Sequence, residues 1–354
     1  MNVQVIQEAP AATCNYPRNT WWVAARGDEV GREPMARWIL DRNVLLYRRE
    51  TGEVVAMENR CPHRWAPLSE GKLVGDLIQC PYHGMRFGPD GRCAHIPSQD
   101  AIGATRINVY PVRESAPYVW IWMGDPSRID EYDAPADLSW ATDPQWTVGG
   151  GSMEVASNYM LLHDNLMDLT HFAFVHAESL QLEDWITPPS VASTETTVTF
   201  EQRFERRKLA PFFAMMMETA PGQLADRAVN RGSWLSPALH AGIEQFEFDT
   251  PTPGGRSSFT FRIAHAVTPI DADRCRYYFV LGWDVLKPPG AGEMLAAGAA
   301  AVFDEDRTMI EAIHEITRRD SRGHDYPEVR LQADAPQLLA RRKLADLLAK
   351  EAER

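Results

Sequence analysis

The chain is 354 residues long with 44% hydrophobic content, enough to bury a substantial core and to form two domains. Its 36 Lys+Arg against 49 Asp+Glu leave a formal net charge of −13, which argues against a nucleic-acid binder, since that needs a basic patch to neutralise phosphates. No apolar run approaches the roughly 20 residues that span a bilayer, the longest being residues 209–217 and 294–303, so no membrane association is expected.

The first ten residues, MNVQVIQEAP, carry neither the basic region nor the apolar core of an export signal, and the protein is placed in the cytoplasm. Residues 21–122 read as short strands joined by turns, with apolar runs at 38–40, 44–47, 54–57 and 118–122. Two hairpin turns are expected, at Glu50-Thr51-Gly52-Glu53 and at Pro89-Asp90-Gly91. Residues 124–151 are dense in Pro, Asp and Gly and mark a domain boundary. A helical stretch follows at 159–176, then strand-like segments near 194–204, 242–248, 257–267 and 277–283, and two closing helices at 293–318 and 336–354.

Five cysteines at irregular spacing do not look like a disulfide framework, which leaves metal binding or redox chemistry. The strings CPHR, from Cys61, and CPYHG, from Cys80, each follow an apolar run and belong at loop tips. Brought together, Cys61, His63, Cys80 and His83 offer two thiolates and two imidazoles, a donor set suited to an iron–sulfur centre or to a closed zinc site. The pair CPHRWAPL and CPYHG resembles the ligand motif of Rieske 2Fe–2S proteins, in which two Cys hold one iron and two His the other. Exchanging two thiolates for neutral imidazoles raises such a cluster to about −150 to +300 mV. Trp65 stands where many relatives of the vanillate-demethylase type have Gly. Cys14, Cys93, Cys275 and His95 match no ligand position and read as packed or surface residues.

Within residues 158–176, NYMLLHDNLMDLTHFAFVH, apolar positions at helical spacing are interleaved with Asn165, Asp168, His171 and His176. Asn165, Asp168 and His171 are three apart and share one ridge of a regular helix. His176 follows His171 by five, about 140° around that helix, so for both to bind one metal the helix must bulge, bend or end between them. In AAAVFDEDRTMIEAIHE, residues 299–315, the apolar positions Val302, Phe303, Met309, Ile310 and Ile313 form a stripe that carries Asp306 and leaves Asp304 and Glu305 off it. A carboxylate on a buried face needs an ion partner or a metal. Two His and one carboxylate with open positions form the facial triad of non-haem Fe(II) oxygenases.

The DNLMDLTH…H pattern and the late EDR resemble the mononuclear-iron domain of Rieske non-haem iron oxygenases. The branch is the monooxygenase one that includes vanillate and dicamba O-demethylases and toluenesulfonate methyl-monooxygenase. The resemblance implies an α+β fold class: an N-terminal all-β Rieske domain over 16–125, then an α+β helix-grip catalytic domain, antiparallel sheet plus helices, over 126–354. It implies one 2Fe–2S cluster on Cys61, His63, Cys80 and His83, one mononuclear Fe(II) on His171, His176 and Asp306, and O2 as co-substrate. It assigns Asp168, with Asn165 nearby, to a hydrogen-bonded link between an iron-ligand His and His83 of a neighbouring subunit in a homotrimer. His265 resembles a position that holds a substrate anion, and His163 occupies a position usually apolar. The segment LAPFFAMMM, 209–217, is either adaptable apolar surface for an aromatic ring or core. No Gly-rich dinucleotide fingerprint follows a predicted strand, so electrons are expected from a separate NAD(P)H-dependent flavin/iron–sulfur reductase. The implied reaction is hydroxylation of a methyl or methoxy group of a small aromatic acid. The runner-up is ring cis-dihydroxylation, and a Rieske electron carrier is the rival from another class.

Overall fold

A computed structural model of the protein describes residues 16–100, 104–182, 185–220, 222–322 and 327–352. The expectations for the first ten residues and for Cys14 lie outside them. The described residues form two compact units, Arg18–Ser139 together with Thr268–Asp271, and Trp140–Val267 together with Ala272–Arg354.

The first unit is all β. Strands β1 (Trp21–Arg26), β10 (Val112–Ser115) and β11 (Tyr118–Trp122) form one sheet in the order β1-β11-β10. Strands β2 (Met35–Ile39), β3 (Arg42–Arg48), β4 (Val54–Glu58) and β9 (Val109–Tyr110) form a second, in that order. Strands β5 (Lys72–Val74), β6 (Leu77–Gln79), β7 (Arg86–Phe87) and β8 (Cys93–His95) form a third. All five residues of β11 are buried, which is why YVWIW reads as a continuous apolar run rather than an alternating one. Both expected hairpin turns are present. Gly52, between β3 and β4, has φ +91. Gly91, between β7 and β8, has φ +78, and a Cβ there would meet the Ile107 carbonyl oxygen at 2.3 Å.

The second unit is an antiparallel sheet with helices. Its strands are β12 (Thr147–Val155), β13 (Ser190–Ser193), β14 (Val198–Arg207), β15 (Ala225–Ser236), β16 (Leu239–Glu247), β17 (Ser258–Asp271, whose last four residues are grouped with the first unit) and β18 (Arg274–Trp283), in the order β12-β18-β17-β16-β15-β14-β13. The helices are α1 (Tyr159–Met167), α2 (Pro211–Met217), α3 (Ala291–Arg319) and α4 (Ala335–Ala352). Helix α3 presses onto β12 through a pair of glycines. A Cβ on Gly149 would lie 2.2 Å from the Gly292 carbonyl oxygen, and one on Gly292 would lie 2.3 Å from that of Val148. This backbone-to-backbone approach sets the height of α3, and therefore of Asp306, over the sheet. No described helix is long and apolar enough to cross a membrane.

Three expectations need correction. The stretch 159–176 is not one helix: α1 stops at Met167, Asp168 is extended at φ −110, and a separate 3-10 turn covers Leu169–Ala173. The shared ridge of Asn165, Asp168 and His171 therefore does not form. Strands β12, β13 and β15 were not expected. The first is Gly-rich and read as linker, and the third lacks regular alternation because buried positions recur irregularly along it. On α3, Asp306 and Ile310 are buried but Met309 and Ile313 are 50% and 41% exposed. Periodicity marks the apolar face of a helix, not how far its neighbours extend along it.

Candidate metal centres

The loops carrying Cys61 and Cys80 share one construction. The Cys61 amide donates to the Ala66 carbonyl (2.9 Å), and the Trp65 amide donates back to the Cys61 carbonyl (2.8 Å). The Cys80 amide likewise donates to Met85 (2.7 Å), and Gly84 donates back to Cys80 (3.2 Å). In each, the residue four beyond the cysteine takes a left-handed conformation, Trp65 at φ +62 and Gly84 at φ +74. That explains why glycine suits the Trp65 position: a Cβ costs about 1–2 kcal/mol there. The Arg60 guanidinium, 4.8 Å over the Trp65 ring, returns part of it. The two loops set like donors side by side. Cys61 and Cys80 are buried neighbours, and the His63 and His83 rings lie 4.6 Å apart. Burial, with Cys80 beside it, pushes the Cys61 thiol up, and a bound metal would favour its thiolate. Both histidines are exposed, which places the imidazole side of the donor set at the surface. Cys93 is half-buried with Sγ 3.6 Å from the His95 carbonyl, and Cys275 is buried in β18.

In the second unit, the early end of α1 gives the chain room to turn both histidines toward α3. The Asp168 carboxylate caps the 3-10 turn, accepting from the Thr170 amide (2.8 Å) and hydroxyl (2.6 Å). Nε2 of His171 and Nε2 of His176 each lie 3.2 Å from Oδ1 of Asp306. Each donor has a second partner behind it. The His171 Nδ1 contacts the Asp168 carbonyl oxygen, the His176 Nδ1 contacts Glu305 Oε2 at 2.7 Å, and Asn165 Nδ2 donates to Asp306 Oδ1 at 3.0 Å.

Those partners decide the tautomers. Facing a carbonyl and a carboxylate, both Nδ1 atoms carry the proton, which leaves both Nε2 lone pairs directed at a carboxylate oxygen. Two nitrogen acceptors, each 3.2 Å from one carboxylate oxygen, are repelled by it unless a cation or added protons hold them together. His171 Nε2 is buried without a hydrogen-bond partner, so the chemistry of this donor set fits a divalent ion. Without a metal, protons on the imidazoles take its place: burial alone raises the Asp306 carboxyl, but hydrogen bonds and charge from protonated His171 and His176 outweigh it and hold it well below the usual carboxylate range. Burial alone lowers His176, and Asp306 with Glu305 outweighs that and raises it. Among the described residues this is the group of three or more metal-type side chains that converges, within 4.8 Å.

Residues 20–111 match the Rieske [2Fe-2S] domain, and residues 155–350 match the vanillate O-demethylase oxygenase C-terminal domain. The chain belongs to the vanillate O-demethylase family of Rieske oxygenases. It is 37% identical over 330 residues to the toluene-4-sulfonate monooxygenase system iron-sulfur subunit of Comamonas testosteroni, covering 90% of this chain and 93% of that one. It is 31% identical over 360 residues to a vanillate O-demethylase oxygenase subunit of a Pseudomonas species, covering 96% of each. The crystal structure of dicamba monooxygenase with non-heme iron and dicamba superimposes with a TM-score of 0.80 at 30% identity, over 96% of this chain and 99% of that one.

As a Rieske non-haem iron monooxygenase component, the protein takes a 2Fe–2S cluster, a mononuclear iron and dioxygen. The C-terminal domain match sets aside the electron-carrier reading, and the Rieske match sets aside the closed-zinc one. The oxygenase also contains a row of imidazoles, two of them buried and His265 half-buried, that sequence reasoning resolved only in part. His163 Nδ1 lies 2.5 Å from His240 Nε2, His240 pairs with His265 across β16 and β17, and His265 Nδ1 lies 2.5 Å from the Tyr277 hydroxyl. Burial holds all three down, His163 to about 3 and His265 to about 4, so the row is neutral at pH 7. His240 carried no signal in the sequence, since a lone His in a strand reads as a packed residue. In the segment 209–217, Phe213 packs on Phe246, Phe261 and Trp283 and Met217 is buried, while Met215 is 53% exposed.

Proposed function

We propose that this oxygenase hydroxylates a methyl or methoxy group of a small aromatic acid in the cytoplasm, with electrons from an NAD(P)H-dependent flavin/iron–sulfur reductase. The observation that carries the reading is the meeting of His171, His176 and Asp306 in a chain that also carries a Rieske domain. Residues 16–125 are assigned to electron delivery and 126–354 to catalysis. Cys61, His63, Cys80 and His83 would hold the cluster, and His171, His176 and Asp306 the iron. When bound, the cluster passes electrons one at a time and the iron, with positions left open by three protein ligands, activates dioxygen. Asn165 donates to the Asp306 oxygen on which the two imidazoles converge and so steadies that carboxylate. A hydroxylated methoxy carbon is a hemiacetal that collapses to formaldehyde and the phenol, whereas a hydroxylated methyl stops at the alcohol. Relatives named for toluenesulfonate and vanillate, both aromatic acids, support this substrate class.

The exposed His63 and His83 support delivery of electrons across a subunit boundary. In the homotrimer proposed here, Asp168 links the iron side of one subunit to His83 of the next. His265 is assigned to the substrate anion. A phenol is a stronger acid than a neutral imidazole, so Tyr277 donates to His265 Nδ1 and leaves the N–H on Nε2, the tautomer that can donate to a carboxylate or sulfonate oxygen. His265→Ala should raise KM for the acid by about ten- to a hundredfold, the loss of one hydrogen bond to a charged group, with a smaller change in kcat. Steady-state oxygen uptake checks this.

The activity is tested by coupled oxygen and formaldehyde detection over methoxybenzoates and toluenesulfonates with a surrogate reductase. Oxygen uptake without hydroxylated or demethylated product from any of them counts against the proposed substrate class. The cluster assignment has its own test. His63→Ala or His83→Ala should lose the cluster absorbance while still binding Fe(II) at the second site, because the two ligand sets lie in separate units. A normal cluster spectrum in either variant contradicts the assignment.

A further inference from the structure

The sequence left Glu305 without a role, off the buried stripe and one residue before Asp306. On a helix, consecutive side chains diverge by about 100°, and α3 uses that divergence to bracket one imidazole. Asp306 Oδ1 stands 3.2 Å from Nε2 of His176, and Glu305 Oε2 stands 2.7 Å from Nδ1 on the opposite edge of the same ring. The Ser179 hydroxyl donates to the same Glu305 oxygen at 2.8 Å, so the carboxylate is itself held in place. His176 is 1% exposed, and water competes little for its Nδ1 proton. The other imidazole is treated differently, since His171 Nδ1 faces the peptide carbonyl of Asp168, a neutral acceptor.

We propose that Glu305 is a positioning residue of the iron site, holding His176 in one ring orientation and making it the more strongly donating, slower-exchanging of the two imidazoles. This rests on the reading of His171, His176 and Asp306 as iron ligands. An anionic acceptor on Nδ1 draws the proton toward itself and increases the electron density at Nε2, and loss of such outer partners commonly weakens metal binding ten- to a hundredfold. The paired carboxylates also match the charge of a divalent ion, which a single Asp306 does not.

Fe(II), and Co(II) as an optical probe, are titrated into the full-length protein freed of mononuclear metal, with His176→Ala as the reference for a broken site. Glu305→Gln keeps the size and an accepting oxygen but removes the charge. It should bind Fe(II) about ten- to a hundredfold more weakly and release it faster to a chelator, with an altered Co(II) spectrum. Cluster absorbance and the Tm of the metal-free protein should stay unchanged. Glu305→Asp should recover part of the affinity, and Ser179→Ala should lose several-fold. Wild-type affinity, within twofold, in Glu305→Gln overturns the proposal, as does an affinity loss matched by a lower metal-free Tm and not recovered by Glu305→Asp. If Glu305→Gln does not fold, Ser179→Ala decides: unchanged affinity there overturns it. A wild-type protein that binds Fe(II) no better than His176→Ala would instead remove the iron-site reading beneath it.

Discussion

Asp306→Ala is expected to yield a folded protein with a normal, reducible cluster, two irons per chain instead of three, and turnover at background. The reason lies in what Asp306 does for its neighbours. It is the carboxylate on which the Nε2 atoms of His171 and His176 converge, each at 3.2 Å, and it is 6% exposed. Without it, two neutral imidazoles remain, and they supply no charge to offset a divalent ion and only two of three facial positions. The adjacent acids do not replace it. Glu305 is committed to Nδ1 of His176 and to Ser179, while Asp304 pairs with Arg307 on the exposed side of α3. Asp304→Ala is therefore the matched control, with full iron content and near-normal turnover. Iron and acid-labile sulfide analysis, with product detection, reads both variants. Three irons and full activity in Asp306→Ala would move the third ligand elsewhere.

Asp168→Asn should keep both metal centres and a cluster that accepts electrons from the reductase, yet lose product formation by orders of magnitude. Asn is as good a cap as Asp for the turn at Leu169–Ala173, so the bonds from the Thr170 amide and hydroxyl survive, and the backbone carbonyl that faces His171 Nδ1 is untouched. What disappears is the charge. In the proposed trimer that charge links the iron side of one subunit to His83 of the next, and a head-to-tail ring is the arrangement that repeats such a contact at every boundary. Mixing with His83→Ala makes the test sharper. In a mixed trimer, an Asp168→Asn subunit contributes an intact cluster to the intact Asp168 and iron of a His83→Ala neighbour, so partial activity should return. Near-normal turnover in Asp168→Asn alone, or no recovery in verified mixed trimers, would count against a path between subunits.

Cys61, His63, Cys80 and His83 were legible from the sequence because each pair sits within one short loop, where spacing along the chain nearly equals spacing in space. Asp306 was legible for a different reason: a carboxylate on an amphipathic stripe is too costly to bury unless something neutralises it. The order of an all-β unit followed by an antiparallel sheet with helices came with the family motifs. Strands β12 and β15 did not, because a glycine-rich or irregular strand takes its stability from the neighbours it pairs with rather than from its own pattern.

The rest was decided by tertiary structure. A period of 3.6 predicts a helical stretch through His176, broken between His171 and His176 if both bind one metal; the structure ends it earlier, at Met167, where Asp168 turns extended and caps the next turn at Thr170. The left-handed turn at Trp65 is visible only beside its twin at Gly84. Glu305 reaches His176 from 129 residues away and His240 reaches His163 from 77. By itself the sequence determined which donors exist and which lie close along the chain. Which nitrogen of each imidazole carries its proton, and which carboxylate stands beside which imidazole, depend on contacts between distant segments, because hydrogen bonds of about 3 Å are set by how helices and strands pack rather than by residue type.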